Sequence, residues 1–189
     1  MHSVMLNRLR TFEDQARQAN NPPLFLQLLS PLHALWHDPS RRRRVGFLLF
    51  HWHVIQHFTA LSLDGVMHVQ ADTVADFSTS GRFAEGDWNA SMGAVGDSTS
   101  LQELVDYSAA IEGWHNEAHM VIGDVTGLDM MNPRANVFFT EFWNLHFFIN
   151  ERFEEQMDAY AQATHPQLEG AAAIVAHIEE QHPSVIARV

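Results

Sequence analysis

Histidine is the residue whose number and placement stand out. The chain carries 13 of them, and six fall in two tight groups. His115 and His119 lie four apart, so on a helix they share one face about one turn from each other. His146 follows on a second apolar run. Three imidazoles held by two packed helices make a metal site, because neutral imidazole is the commonest metal-binding side chain. There is no Cys, which excludes disulfides, thiolate zinc sites and cysteine nucleophiles. The question this raises is whether the rest of the chain supplies a second trio.

Helical periodicity positions these side chains. Residues 3–20 read as a polar amphipathic helix, with Met5, Leu9 and Phe12 on one side. Asn20-Asn21-Pro22-Pro23 ends it. Leu24 to about His37 is the second helix, with Phe25, Leu28, Leu29, Leu32, Leu35 and Trp36 in helical period. Pro31 predicts a kink, or a helix that starts at Ser30-Pro31. The third helix runs from about Arg43 to Ser62. His51 sits in the middle of its apolar stripe with Phe47, Val54, Ile55 and Phe58, while His53 and His57 point to a less apolar face.

Residues 64–100 are rich in Gly, Ser, Asp and Thr. They read as a long irregular excursion with one short helix near Val69–Phe77, and such segments are often functional. Here it would lie over a site. Leu101–His119 is the fourth helix, capped by Ser100 with support from Glu103, and Gly113 is a point for a bend. Gly123–Asn136 reads as a loop. Ala135 to about Ala163 is a fifth, long helix with Phe139, Phe142, Trp143, His146, Ile149 and Phe153 on its apolar face. Leu168–Glu180 is the last helix, followed by a frayed tail. The pairs 24–62 and 101–163 are alike: a His-bearing helix, a loop, then an aromatic helix with a central His. The expected fold is all-α, a four-helix bundle core of two related halves with extra flanking helices and a long irregular loop.

Bulk properties narrow the partners. The 189 residues suffice for one domain. A composition of 46% hydrophobic and 18% charged residues is that of a globular protein. A formal charge of −12 argues against nucleic acid or an anionic membrane. The basic run Arg41–Arg44 is short and reads as a solvated loop. Met1–Asn20 has no apolar signal core, and no apolar run approaches the roughly 20 residues of a membrane span. A cytoplasmic protein is the expectation.

Segment 115–156 resembles the second copper-binding half of the type 3 copper proteins, the tyrosinases, catechol oxidases and hemocyanins. The matching residues are His115-Asn116, His119, Ile122-Gly123, Phe142-Trp143, His146, Ile149, Asn150 and Phe153. Two positions depart: the family's Asp after the third His is Asn150, and its Asp-Pro before the aromatic pair is Phe139-Thr140. Leu145 stands where tyrosinases often have an extra His. The first half is a looser match. Phe47-Leu48-Leu49-Phe50-His51 is similar to the run at the third ligand of the first copper. A tyrosinase has a His nine residues before that ligand, where this chain has Arg42, so the resemblance assigns the upstream ligands to His33 and His37. A competing register makes His53 the ligand. His51 has Phe47, Val54, Ile55 and Phe58 at the offsets where His146 has Phe142, Ile149, Asn150 and Phe153, which favours His51. His53 and His57 stay open as donors to the ligands, solvated residues or ligands.

The resemblance implies two copper ions per chain, one on His33, His37 and His51 and one on His115, His119 and His146. Imidazole suits both oxidation states of copper and leaves positions open for O2. A di-iron bundle would show Glu-x-x-His in both halves; Glu112 and His115 have that spacing, but the first half has no copy. By resemblance, Asn116 beside the first ligand of the second copper, with Glu112 or Glu117, holds a water that takes a phenol proton. The implied function is a copper oxidase or monooxygenase using O2 on a small aromatic substrate, a phenol, o-diphenol or o-aminophenol. The alternative is a non-catalytic, hemocyanin-like O2- or metal-binding bundle. The chain is short for this family, so the site is either more exposed, or closed by residues 64–100 or by a second subunit of a homo-oligomer. His68, His165, His177 and His182 have no partner pattern and read as surface residues.

Overall fold

The computed structural model describes residues 2–37, 46–74 and 96–186. The expectations for the Arg41–Arg44 loop, for most of the 64–100 excursion and for the last three residues lie outside them. Among the described residues the chain is helical, with no strand. The elements are α1 (His2–Gln18), α2 (Leu24–Trp36), α3 (Gly46–Ala60), the short α4 (Leu63–Val66), a 3-10 turn at Ala71–Thr73, α5 (Leu101–Thr126), a 3-10 turn at Asn136–Phe138, α6 (Thr140–Thr164), α7 (Ala171–Gln181) and the short α8 (Pro183–Ile186). No helix among them is long and apolar enough to cross a membrane.

The central element is α3. Ten of its residues are buried, Phe47 through Trp52 among them. A helix that is apolar nearly all round needs neighbours on every side, and α3 packs against α1, α5 and α6. Phe58 stacks on Trp143 of α6 with ring centroids 3.7 Å apart. The indole N–H of Trp143 donates to the Val137 carbonyl at 2.9 Å. Helix α1 covers α2 and α3 with its apolar side, burying Met5, Leu9 and Ala16.

Helix ends differ from expectation where tertiary contacts outweigh local signals. Helix α2 runs without a break from Leu24 past Pro31 rather than starting at Ser30. The lost N–H costs one bond, offset by burial of Leu29, Leu32, His33 and Trp36 on either side. Leu35, expected on the apolar face, is 38% exposed, and Leu26 is buried. Helix α5 continues past Gly123 to Thr126, so the following loop starts at Gly127, where φ of +76° forms a left-handed cap. At its start the Ser100 hydroxyl accepts from the Glu103 N–H at 3.3 Å, and the Glu103 carboxylate accepts from the Thr99 N–H at 2.7 Å. The expected fifth helix is divided, because Phe139 is extended (φ −101°, ψ 136°) between the 3-10 turn and α6. The expected frayed tail instead forms α8 and buries Ile186.

The described start of the 64–100 excursion is pinned to α6. Asn144 accepts from the Gln70 N–H at 2.6 Å and donates to the Thr73 hydroxyl at 3.1 Å. Of the short helix expected near Val69–Phe77, the described part holds a 3-10 turn at Ala71–Thr73, and residues 75–77 lie outside the described residues. Asn144 lies about 200° around α6 from His146, so residues 64–74 pack on the helix side away from His146.

Candidate metal centre

Helix geometry brings the six histidines to one place. His33 extends from the last turn of α2 and His37 from the residue that caps it, His51 from the middle of α3, His115 and His119 from α5, and His146 from the second turn of α6. They form two groups, His33/His37/His51 and His115/His119/His146, each with its ligand nitrogens within 4.8 Å of one another. Each group could hold a metal ion. His37 is half-buried; the other five are no more than 4% exposed.

Hydrogen bonds fix the tautomers. A carbonyl can only accept, so an imidazole Nδ1 facing one carries the proton and leaves Nε2 as the lone-pair donor. His51 Nδ1 donates to the Phe47 carbonyl at 2.8 Å, and His146 Nδ1 to the Phe142 carbonyl at 2.7 Å. These are equivalent bonds, each to the residue four before, in the two halves of the centre. His33 Nδ1 donates to the Pro133 carbonyl at 2.8 Å, and His119 Nδ1 to the Met130 carbonyl at 2.6 Å. The loop after α5 therefore orients one imidazole in each trio. Asn136 steadies that loop by donating to the Met130 carbonyl at 3.1 Å.

The freed nitrogens converge. His115 Nε2 is 3.0 Å from His146 Nε2, and His37 Nε2 is 3.4 Å from His51 Nε2. Two imidazoles bound to one ion at about 2.0–2.1 Å, roughly 95–110° apart, have nitrogens about 3.0–3.4 Å apart. The third nitrogen of each trio, His33 Nε2 and His119 Nε2, is buried with no hydrogen-bond partner among the described residues. A buried polar atom without a partner is costly, and an ion shared with its neighbours would satisfy it. The donor set, three neutral imidazoles per ion, suits copper, zinc, iron or nickel.

The trios share one chamber. The His51 and His146 rings stack with centroids 4.7 Å apart, and His37 stacks on His115 at 5.9 Å. Two phenylalanines wall it. Phe47 touches His51 at 4.6 Å and His115 at 4.8 Å. Phe142 stacks on His146 at 3.9 Å and meets His33 edge-on at 5.1 Å. Each wall thus contacts both trios.

No family model, curated protein or solved structure matches this chain. The reading of the centre rests on its own residues.

Electrostatics keeps the imidazoles neutral. Burial pushes the His33 pKa down to about 3, with the neighbouring His51 adding to the effect. Burial also lowers His51 and His119, each to about 4. His37, His115 and His146 are held well below the ordinary range by burial and by the imidazoles around them. Only neutral imidazole binds a metal, so ligands of this kind need no deprotonation at neutral pH.

Other assigned residues fall elsewhere. His53 and His57 leave the chamber and meet carboxylates: His53 Nε2 lies 2.6 Å from Glu179, and His57 Nδ1 lies 2.5 Å from Glu13. Asn116 and Glu117 are on the exposed side of α5, and Glu112 is half-buried one turn before His115. Asn150, one turn after His146, donates to Glu154 at 3.1 Å, and the Trp52 indole donates to the same oxygen at 2.8 Å. His68 is exposed, with φ of +52°. His165, His177 and His182 are half-buried rather than free on the surface, with His177 between the other two at 4.2 and 5.8 Å. Two features had no sequence signal: the carbonyls of Met130 and Pro133, and the meeting of His53 with Glu179.

Proposed function

We propose that the chain is a small type 3 dicopper oxidase that uses O2 on phenols, o-diphenols or o-aminophenols, built on a four-helix core of α2, α3, α5 and α6. One observation carries the reading. Two trios of neutral imidazoles, four of them with tautomers fixed by backbone carbonyls, face each other in one buried place, with His51 and His146 stacked at 4.7 Å. The resemblance of 115–156 to the second copper half of tyrosinases and hemocyanins points the same way.

In this reading His33, His37 and His51 hold one copper and His115, His119 and His146 the other. Bound copper would supply O2 binding and the exchange of electrons with the substrate. The chain's own residues do the rest. The carbonyls of Phe47, Phe142, Pro133 and Met130 keep four rings in the ligating orientation, and the phenylalanine walls exclude bulk water. His37, the least buried of the six, marks the side from which a small aromatic ring would approach. Asn116, with half-buried Glu112 or exposed Glu117, would hold the water that receives the phenol proton, through a motion of these side chains on α5.

A second reading is a non-catalytic O2- or metal-binding bundle. It draws on the deep burial of five of the six imidazoles, which restricts a substrate more than it restricts O2. One experiment separates the readings. Purified protein is loaded with copper, its metal counted, reduced, and exposed to O2. Two coppers per chain and an intense near-ultraviolet band are expected, with turnover of catechol and of a monophenol. A single copper and no band sinks both dicopper readings; the band without turnover leaves the carrier.

A further inference from the structure

A second meeting of ligating side chains lies outside the chamber. His2 at the start of α1, His53 on α3 and Glu179 on α7 converge from three helices. One carboxylate oxygen of Glu179 receives both rings, His2 Nε2 at 2.7 Å and His53 Nε2 at 2.6 Å. His53 is two residues from His51, about 200° around α3, so it faces away from the chamber. The three side chains are 16%, 17% and 21% exposed, for His2, His53 and Glu179. Burial opposes ionisation of Glu179, but the hydrogen bonds from His2 and His53 prevail and hold its pKa at about 2. It is a carboxylate at neutral pH.

We infer that His2, His53 and Glu179 form a separate site for a divalent transition-metal ion, with zinc the best-fitting class. Two imidazoles and one carboxylate oxygen are a common three-ligand set for zinc, with solvent in the fourth position. The partial exposure of all three side chains leaves that position open. The present donor separations of 2.6 and 2.7 Å are shorter than the roughly 3.3 Å between ligands of a tetrahedral zinc. Opening them takes side-chain shifts of under about 1 Å, within the reach of the Glu179 stem. The ion would clamp α1 and α7 onto the outer face of α3, whose inner face carries His51. The inference does not depend on what the chamber binds.

The test uses the copper-loaded chain of 189 residues. Wild type, Glu179→Gln and His53→Gln are equilibrated with zinc, and both metals are counted per chain. Wild type is expected to hold one zinc more than either variant, whatever the central trios hold. Cobalt in place of zinc should give a tetrahedral visible spectrum in wild type that Glu179→Gln lacks. Zinc at a hundredfold excess over its dissociation constant should raise the wild-type Tm by roughly 5–10 °C and leave Glu179→Gln unmoved. Equal zinc counts in wild type and Glu179→Gln, with no difference in Tm shift, overturn the inference. Glu179→Gln is close in shape to the native residue and decides the outcome even if His53→Gln does not fold. A failed dicopper reading would show in the copper count, and leaves the zinc difference intact.

Discussion

His51 of α3 and His146 of α6 stack across the centre of the protein, their rings 4.7 Å apart and 27° from parallel. Each donates Nδ1–H to the carbonyl of a phenylalanine four residues earlier. The two halves are therefore matched in side chain, acceptor and wall, and this stack is a closer contact between the trios than the 5.9 Å between His37 and His115. His51→Ala and His146→Ala should each lower bound copper from two ions to one per chain and abolish the O2-dependent band. His53→Ala, whose ring faces Glu179, should keep both ions. Metal analysis of the three variants distinguishes the registers. A paired His33→Ala/His37→Ala variant that still binds two coppers would remove the first half from the site.

Burial of neutral imidazoles makes the metal-free fold sensitive to acid. The folded pKa values of His33, about 3, and of His51 and His119, about 4, lie below the roughly 6.5 of an unfolded chain. The unfolded state then takes up protons first. Stability is fully present above pH ~6.5 and is lost as the pH falls toward each folded value, by up to ~1.4 kcal/mol per unit for each histidine. Urea midpoints of the metal-free protein should fall steadily from pH 6.5 to 4.5. A flat profile over that range would mean the rings are hydrated in solution.

The helices and the pairing of His115 with His119 were legible because both follow from spacing along one helix. His51 could be placed by its periodic neighbours Phe47, Val54 and Ile55, and Ser100 by its capping pattern. What spacing does not encode is which backbone a loop presents. The Met130 and Pro133 carbonyls that aim His119 and His33 depend on how residues 127–135 fold back across α2 and α5. Gly123 reads as a loop start, because a short window registers only its low helix propensity. The contact that explains it comes from a residue packed against the helix. The His165–His177–His182 cluster likewise arises from the packing of α7 beside the end of α6 and leaves no local trace.

The Phe58–Trp143 stack at 3.7 Å joins the two helices that carry His51 and His146. Both side chains are fully buried. Phe58→Ala should cost about 3–4 kcal/mol, as large-to-small core changes do, measured by chemical unfolding of the metal-free protein. Copper stoichiometry should survive at low temperature, because neither ring touches a ligand nitrogen. A cost under about 1 kcal/mol would mean that the core collapses around the gap.

If Asn116 and a neighbouring Glu receive the phenol proton, their loss should separate two activities. Asn116→Ala should lower monophenol hydroxylation by about 100-fold, the usual scale for a proton acceptor, while o-diphenol oxidation changes little. Glu112→Gln and Glu117→Gln, assayed side by side, identify the partner. Both copper ions should remain in all three variants. Equal loss of both activities would assign Asn116 to folding or access.

Gly123 offers the sharpest test of how the loop serves the centre. A Cβ there would lie 3.1 Å from the Leu128 carbonyl and 3.5 Å from Met130 Cβ, so the loop would have to yield by a few tenths of an ångström. The next groups along that loop are the Met130 and Pro133 carbonyls that orient His119 and His33. Gly123→Ala improves helix propensity by about 1 kcal/mol, yet overpacking of this kind costs about 1–3 kcal/mol. Disturbing the acceptor of a metal-binding imidazole typically weakens metal affinity by about 10–100-fold. Copper titration should therefore show weakened binding at the His115/His119/His146 trio, with a net loss of stability of no more than about 2 kcal/mol. Gly113 is the control: it lies on the same helix with nothing among the described residues within 4 Å of an added Cβ. Gly113→Ala should stabilise the protein by up to ~1 kcal/mol and leave copper binding unchanged. If both variants bind copper as wild type does, the loop does not set the orientation of His119.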